Sequence, residues 1–280
     1  MLVSLNEVLK IGREKGIGVP AINTPNFETI IAAIEVAEEL NIPLILTHAQ
    51  LHEEVIAIET IGPAMLEYAK RAKIPVCVHL DHGESFDFCK KAIAMGFTSV
   101  MIDASAYPYD ENVRITKEVV DYAHAHGVSV EAELGQLPNR ESGVGNDLIA
   151  ESHYTDANLV PDFVNKTNVD ALAIAFGTAH GIYKVKPVLN IDIIKRVRAK
   201  SNVYLVMHGG SGLTHEDYRN AIEAGINKIN YYTYMSYQGY AAAKALVEKE
   251  PTGFFHDICK VGMEAQKEKL REIMKVFADL

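Results

Sequence analysis

The stretch PVCVHLDHG, residues 75–83, is an apolar run that ends in a histidine followed at once by glycine. Two later stretches end the same way, ALAIAFGTAHG (171–181) and YLVMHGGSG (204–212). Each reads as a buried strand, and each delivers one histidine to its end: His82, His180 and His208. One polar strand end carries no message, because buried strands stop in many ways. Three of them point to neutral imidazoles converging on one metal ion, with a coordination position left open for a substrate. The pattern makes the chain a candidate metal-dependent enzyme rather than a binding module.

Outward from these segments, short apolar runs alternate with amphipathic helical patterns. The strands read as 18–23, 43–49, 75–81, 99–105, 129–134, 171–177, 204–210 and 228–233. Eight is the number that closes a parallel barrel, and near-continuous apolar runs suit strands covered on both faces. FETIIAAIEVAEEL (27–40) and ENVRITKEVVDYAHAH (111–126) carry the helical period. Gly16, Gly96, Gly127 and Gly225 each fall a few residues before a strand, where a left-handed residue stops a helix. Thr214 with Asp217 forms a capping box opening the seventh barrel helix. The competing doubly wound sheet lacks a GxGxxG after the first strand and leaves the polar strand ends unexplained. The expected fold is α/β, a (β/α)8 TIM barrel. A single domain spans 1–280, with 251–280 as a C-terminal helical extension.

Composition narrows the function. A net charge of −10 with no Lys/Arg-rich run argues against a nucleic-acid surface. Cys77, Cys89 and Cys259 form no disulfide pattern; Cys77 in a strand and Cys89 in a helix read as buried thiols, and a reducing, cytoplasmic location is expected. The first sixteen residues carry charges at helical spacing and read as neither a signal peptide nor a membrane span.

In a (β/α)8 barrel the site lies at the C-terminal strand ends. The polar residues there include Asn23, His48, Asp81, His82, Asp103, Glu133, His180, His208 and Asn230. Alternation puts Cys77, His79 and Asp81 on one face of the third strand, and His82 where that strand gives way to a loop. Most of the eleven histidines read as ordinary core or surface residues, His124 and His126 near a helix C-terminus among them. A structural zinc would want a fourth protein ligand, usually a thiolate, so the trio reads as a catalytic site. Asp103 and Glu133 read either as a hydrogen-bonded pair beneath the site or as orienting or second-metal groups. HGGSG (208–212) before a helix offers backbone N–H groups where this fold often binds phosphate.

The set VHLDHG, GFTSVMIDAS, VSVEAELG, VDALAIAFGTAHGIY, HGGSG and AGINKIN, in this order, resembles the class II (zinc-dependent) ketose-bisphosphate aldolases, the fructose- and tagatose-bisphosphate aldolases. The likeness runs from about residue 3 to at least 247 and is most specific between 75 and 230. It implies one zinc on His82, His180 and His208. That ion would bind the carbonyl and hydroxyl oxygens of dihydroxyacetone phosphate and stabilise its enediolate. It implies that Asp81 protonates the aldehyde oxygen in condensation and takes the proton back in cleavage. Glu141, in the lid segment PNRES (138–142), falls on the glutamate that removes the C1 proton. Gly181, Gly209, Gly210, Ser211, Asn230 and Thr233, with Asn23 nearby, fall on substrate-binding positions. The carbonyls of Gly181 and Gly209 match a monovalent-cation site for Na⁺ or K⁺. A phosphorylated sugar as ligand and a homodimer or homotetramer follow from the same likeness.

Three departures qualify it. The family's Asn-x-x-Thr is followed by an acid, whereas this chain has Asn230-Tyr231-Tyr232-Thr233-Tyr234. THAQLHEEV (47–55) replaces a Ser/Gly segment and presents His48, Gln50 and His52 as possible distal contacts. No C-terminal arginine is evident for a second phosphate, since Arg271 reads as a solvated helix position. The resulting expectation is reversible, zinc-dependent cleavage of a ketose 1-phosphate or 1,6-bisphosphate to dihydroxyacetone phosphate and an aldehyde. The alternatives are a catalytically weak barrel serving as partner subunit of an aldolase, and a hydrolase using zinc-bound water.

Overall fold

The computed structural model describes residues 1–137, 153–250 and 252–280. Eight parallel strands close on themselves in chain order: β1 (Val19–Asn23), β2 (Leu44–Ala49), β3 (Val76–Gly83), β4 (Ser99–Ile102), β5 (Ser129–Leu134), β6 (Ala171–Ile174), β7 (Tyr204–Met207) and β8 (Ile226–Tyr231). Closure is made by β1 pairing β8, with Ala21 opposite Asn230. The fold is the expected TIM barrel. The strands following 99, 171 and 204 stop three residues earlier than their apolar runs, because those last residues turn out of the ladder to form the mouth.

Each strand is followed by a helix: α2 (Phe27–Leu40), α3 (Ile58–Arg71), α4 (Phe86–Met95), α5 (Tyr109–Ala125), α6 (Val160–Thr167), α7 (Ile191–Lys200), α8 (His215–Ala224) and α9 (Thr233–Lys249). Two helices lie outside this rhythm, α1 (Leu5–Lys15) before β1 and α10 (Phe255–Ala278) after α9. Gly16, Gly96, Gly127 and Gly225 all have positive φ, so each helix stops where a side chain would be strained. Thr214 and Asp217 make the reciprocal capping box of α8. Arg271 reaches from α10 to Glu39 of α2 with N···O distances of 2.8 Å, a tie between outer helices. Among the described residues no helix is long and apolar enough to cross a membrane.

The barrel interior has two levels. Near the strand starts, inward-facing Ala21, Ile45, Cys77, Ala173 and Val206 pack on Leu5, Val8 and Leu9 of α1. All three α1 side chains are fully buried. Their burial contributes on the order of 5–9 kcal/mol before entropy, comparable with a whole domain's net stability. Gly12 makes this fit possible, since a Cβ there would meet Val19 Cγ2 at 2.4 Å. Two residues further along the same strands the apolar layer ends, and charged side chains fill the barrel.

Candidate active site

β3 supplies two consecutive residues to the mouth. Strict alternation would send one of them outward. A register shift between Leu80 and Gly83 breaks the pairing with β4, and His82 sits in the left-handed region at φ 46°. The strand thus runs through His82 to Gly83, past the end at 81 expected from the sequence. Gly83 completes the bulge, since a Cβ there would lie 2.6 Å from Met101 O. The left-handed residue costs of order 1–2 kcal/mol, and in return Asp81 and His82 both face the same cavity.

That cavity holds about 310 Å³ at the C-terminal strand ends. The three strand-end histidines meet in it, with ring centroids 4.5 Å apart for His82–His208, 5.0 Å for His82–His180 and 5.9 Å for His180–His208. Their ligand atoms all lie within 4.8 Å of one another. His82 Nδ1 pairs with Asp103 Oδ2 at 2.8 Å, while its Nε2 is buried with no hydrogen-bond partner. A carboxylate on one ring nitrogen and nothing on the other is the arrangement of a histidine held ready for a metal. Burial, with His82 and His208 nearby, pulls His180 down to about 3, which keeps it a neutral donor. The donor set therefore fits a divalent cation.

His208 differs from the other two. Its Nδ1 lies 2.8 Å from Glu133 Oε2 and its Nε2 2.9 Å from Glu131 Oε1. Burial opposes its charge, but the two carboxylates outweigh burial and raise it to about 10. Asp103 and Glu133 do not pair with each other; each holds a different histidine, and with His82 they form a second close-set group.

Below the cavity lies a fully buried polar layer that the sequence reading missed. Lys228 of β8 places Nζ 3.0 and 2.8 Å from the two oxygens of Glu131 and 4.0 Å from Asp81 Oδ1. His79 bonds Ser99 Oγ at 2.8 Å and sits 3.7 Å from Glu131. The signal was available: Glu131 shares Glu133's face in VEAEL, and Lys228 interrupts an apolar run. Asn230 donates to Asp81 Oδ1 at 3.0 Å. Burial alone would raise Asp81; His82 and Lys228 foremost outweigh it and hold the carboxyl far below its usual range.

Asn23, Gly181, Gly209, Gly210, Ser211, Asn230 and Thr233 all line the cavity. Gly209 has φ 62°, and a Cβ there would meet Ala179 O at 2.4 Å, so the turns bearing His180 and His208 touch backbone to backbone. The Tyr183 hydroxyl joins them again, accepting from Ala179 N and donating to Gly209 O. Asn23 accepts the Thr47 hydroxyl. Thr233 begins α9, whose first turn carries no acid.

The distal segment is arranged differently from the cavity floor. His48 and His52 are buried behind the wall, His48 on Glu53 at 2.9 Å and His52 edge-on to Tyr232 at 5.2 Å. Ala49 and Leu51 face the cavity instead, and Gln50 accepts from Glu84 N. The three tyrosines diverge. Tyr231 and Tyr232 both line the cavity, Tyr231 also packs on Phe277, and Tyr234 covers Gly212. Glu141 lies outside the described residues.

Known proteins resemble this chain in sequence and in fold. Residues 3–279 match the family model for fructose-bisphosphate aldolase class-II. YdjI of Escherichia coli (strain K12) is 38% identical over 263 residues, covering 94% of this chain and 92% of YdjI. The crystal structure of the YdjI aldolase superposes with a TM-score of 0.86 at 34% identity, over 99% of this chain and 97% of that one. A putative fructose-1,6-biphosphate aldolase from Coccidioides immitis gives a TM-score of 0.86 at 27% identity, over 98% and 95% of the two chains.

Proposed function

The chain belongs to the class II fructose-bisphosphate aldolase family, and from that premise we propose that it reversibly cleaves a ketose 1-phosphate to dihydroxyacetone phosphate and an aldehyde. The observation that carries this reading is the unpartnered, buried Nε2 of His82, set against His180 and His208 and beside Asp81. His82, His180 and His208 would hold a divalent cation, zinc in our reading, which would supply Lewis-acid polarisation of the substrate carbonyl.

The chain's own groups do the rest. Asp81, held ionised, accepts the proton of the hydroxyl whose carbon–carbon bond breaks, and in condensation returns it. Asn230 fixes that carboxylate by donating to Oδ1. Gly209, Gly210 and Ser211, with the acid-free start of α9, offer backbone N–H groups and a positive helix end to the phosphate. Glu141 is the candidate for moving the C1 proton. The rest of the cavity lining includes Leu51, Ala106, Leu137, Ser105 and Glu84, and no Lys or Arg lines the cavity among the described residues. That lining supports an uncharged, hydroxylated aldehyde over a phosphorylated one, since among the described residues a second phosphate would meet the Glu84 carboxylate and no cation.

The test is formation of dihydroxyacetone phosphate from fructose 1-phosphate, fructose 1,6-bisphosphate and tagatose 1,6-bisphosphate, before and after complete chelation. Cleavage should stop on chelation and return with zinc; cleavage that survives would overturn the metal-dependent reading. A bisphosphate turned over better than the monophosphate would overturn the neutral aldehyde.

A further inference from the structure

The two carboxylates on His208 are not equivalent. Glu131 is fully buried, does not line the cavity, and is gripped on both oxygens by Lys228 at 3.0 and 2.8 Å. Lys228 is itself fully buried and among the largest side chains to be so. Glu133 faces the cavity and makes no ion pair with Lys or Arg among the described residues. It also lies in the close-set group with His82 and Asp103. With both ring nitrogens bonded to carboxylates, His208 can offer a lone pair to a cation only by giving up one of these bonds.

We propose that Lys228 is a positioning residue that acts through Glu131: the clamp keeps Glu131 on Nε2, so that Nδ1 of His208 is the nitrogen offered to the metal and Glu133 is the carboxylate that yields. The proposal rests on the metal-dependent reading above and adds which atom of His208 serves and what selects it. The physical reason is anchoring. A buried carboxylate keeps its place only while its charge is matched, and Lys228 matches it, hydrogen-bonding the same Oε1 that meets the ring and lying 2.8 Å from Oε2. Glu133 has no such counterweight among the described residues, and it lines the cavity. Outer partners of this kind fix the ring nitrogen that a metal receives, and losing one typically costs 10–100-fold in metal affinity. Lys228 also lies 4.0 Å from Asp81, so the same ammonium borders the proton-transfer carboxylate.

Zinc affinity of the purified protein is measured by competition with a chromophoric chelator. The ring-nitrogen proton of His208 is located by 15N NMR of the zinc-loaded, histidine-labelled chain. Lys228→Met should remain folded by circular dichroism and bind zinc roughly 10–100-fold more weakly. Because this variant strands a buried carboxylate, Glu131→Gln and Glu133→Gln provide a second measurement, in which Glu131→Gln should lose clearly more affinity. The NMR spectrum should show the proton on Nε2. Wild-type affinity in folded Lys228→Met, a larger loss for Glu133→Gln, or a proton on Nδ1 would each overturn the assignment. A wild-type chain that holds no zinc would instead overturn the reading beneath it.

Discussion

The barrel interior holds two layers that meet the same geometric demand with opposite chemistry. On β3 the lower inward position is Cys77 and the next two are His79 and Asp81. Below, Cys77 joins Ala21, Ile45, Ala173 and Val206 in a dry plug sealed by α1. Above, His79 and Asp81 join Glu131, Lys228 and His208 in a network as deeply buried as the plug. The lower layer stabilises by removing apolar area from water, and each of its contacts adds directly. The upper layer must first offset the desolvation of several charges, and their mutual attraction only approximately does so. Stability and chemistry are therefore separated by about two residues of strand rise, roughly 6–7 Å.

This division can be broken or sharpened by experiment. The largest effect belongs to the upper layer. His180→Ala should abolish stoichiometric zinc and lower turnover by about 10³-fold or more, since Lewis-acid stabilisation amounts to several kcal/mol. Full metal content in that variant, read by elemental analysis, would remove His180 from the site. Asp81→Asn should cost at least about a hundredfold in kcat, near 2.7 kcal/mol, while zinc stays bound. In the lower layer, Leu9→Ala should lose roughly 2–5 kcal/mol of unfolding free energy by denaturant titration, with kcat of the folded enzyme unchanged. A matching fall in kcat would show that the layers are coupled. The most gradual effect is a pH slope. Burial foremost pulls His79 from its ordinary value to about 3, so the unfolded chain binds its proton more readily. Its contribution is full above about pH 6.5 and declines as pH falls toward 3, by up to about 1.4 kcal/mol per unit. His79→Gln should flatten the fall in stability between about pH 6.5 and 4.

What was legible in the sequence follows the same line. Apolar runs and helix-stopping glycines were enough for the barrel, because burial and positive φ leave direct marks on residue choice. The strand-end histidines were legible because His-Gly after an apolar run recurs three times. Glu131 and Lys228 each left a mark in their strands, but their pairing did not, since an ion pair across strands 97 residues apart depends on register, and register is absent from periodicity. The bulge at His82 escaped as well, because nothing in LDHG marks a left-handed histidine. His48 and His52 share a polar segment with Gln50, yet the short turn at 50–54 buries the two histidines and leaves Leu51 facing the cavity.

The contact between Gly209 and Ala179 has one more consequence. No residue with a Cβ fits at 209, and the Tyr183 hydroxyl ties the same two turns a second time. The spacing of two of the three histidines is thus insulated from sequence drift elsewhere in the barrel. Among the described residues, 49–52 and 84 carry no such hydrogen bond to either histidine turn. Under the proposed function, a change of aldehyde preference made at those few positions would leave the spacing of His180 and His208 unchanged.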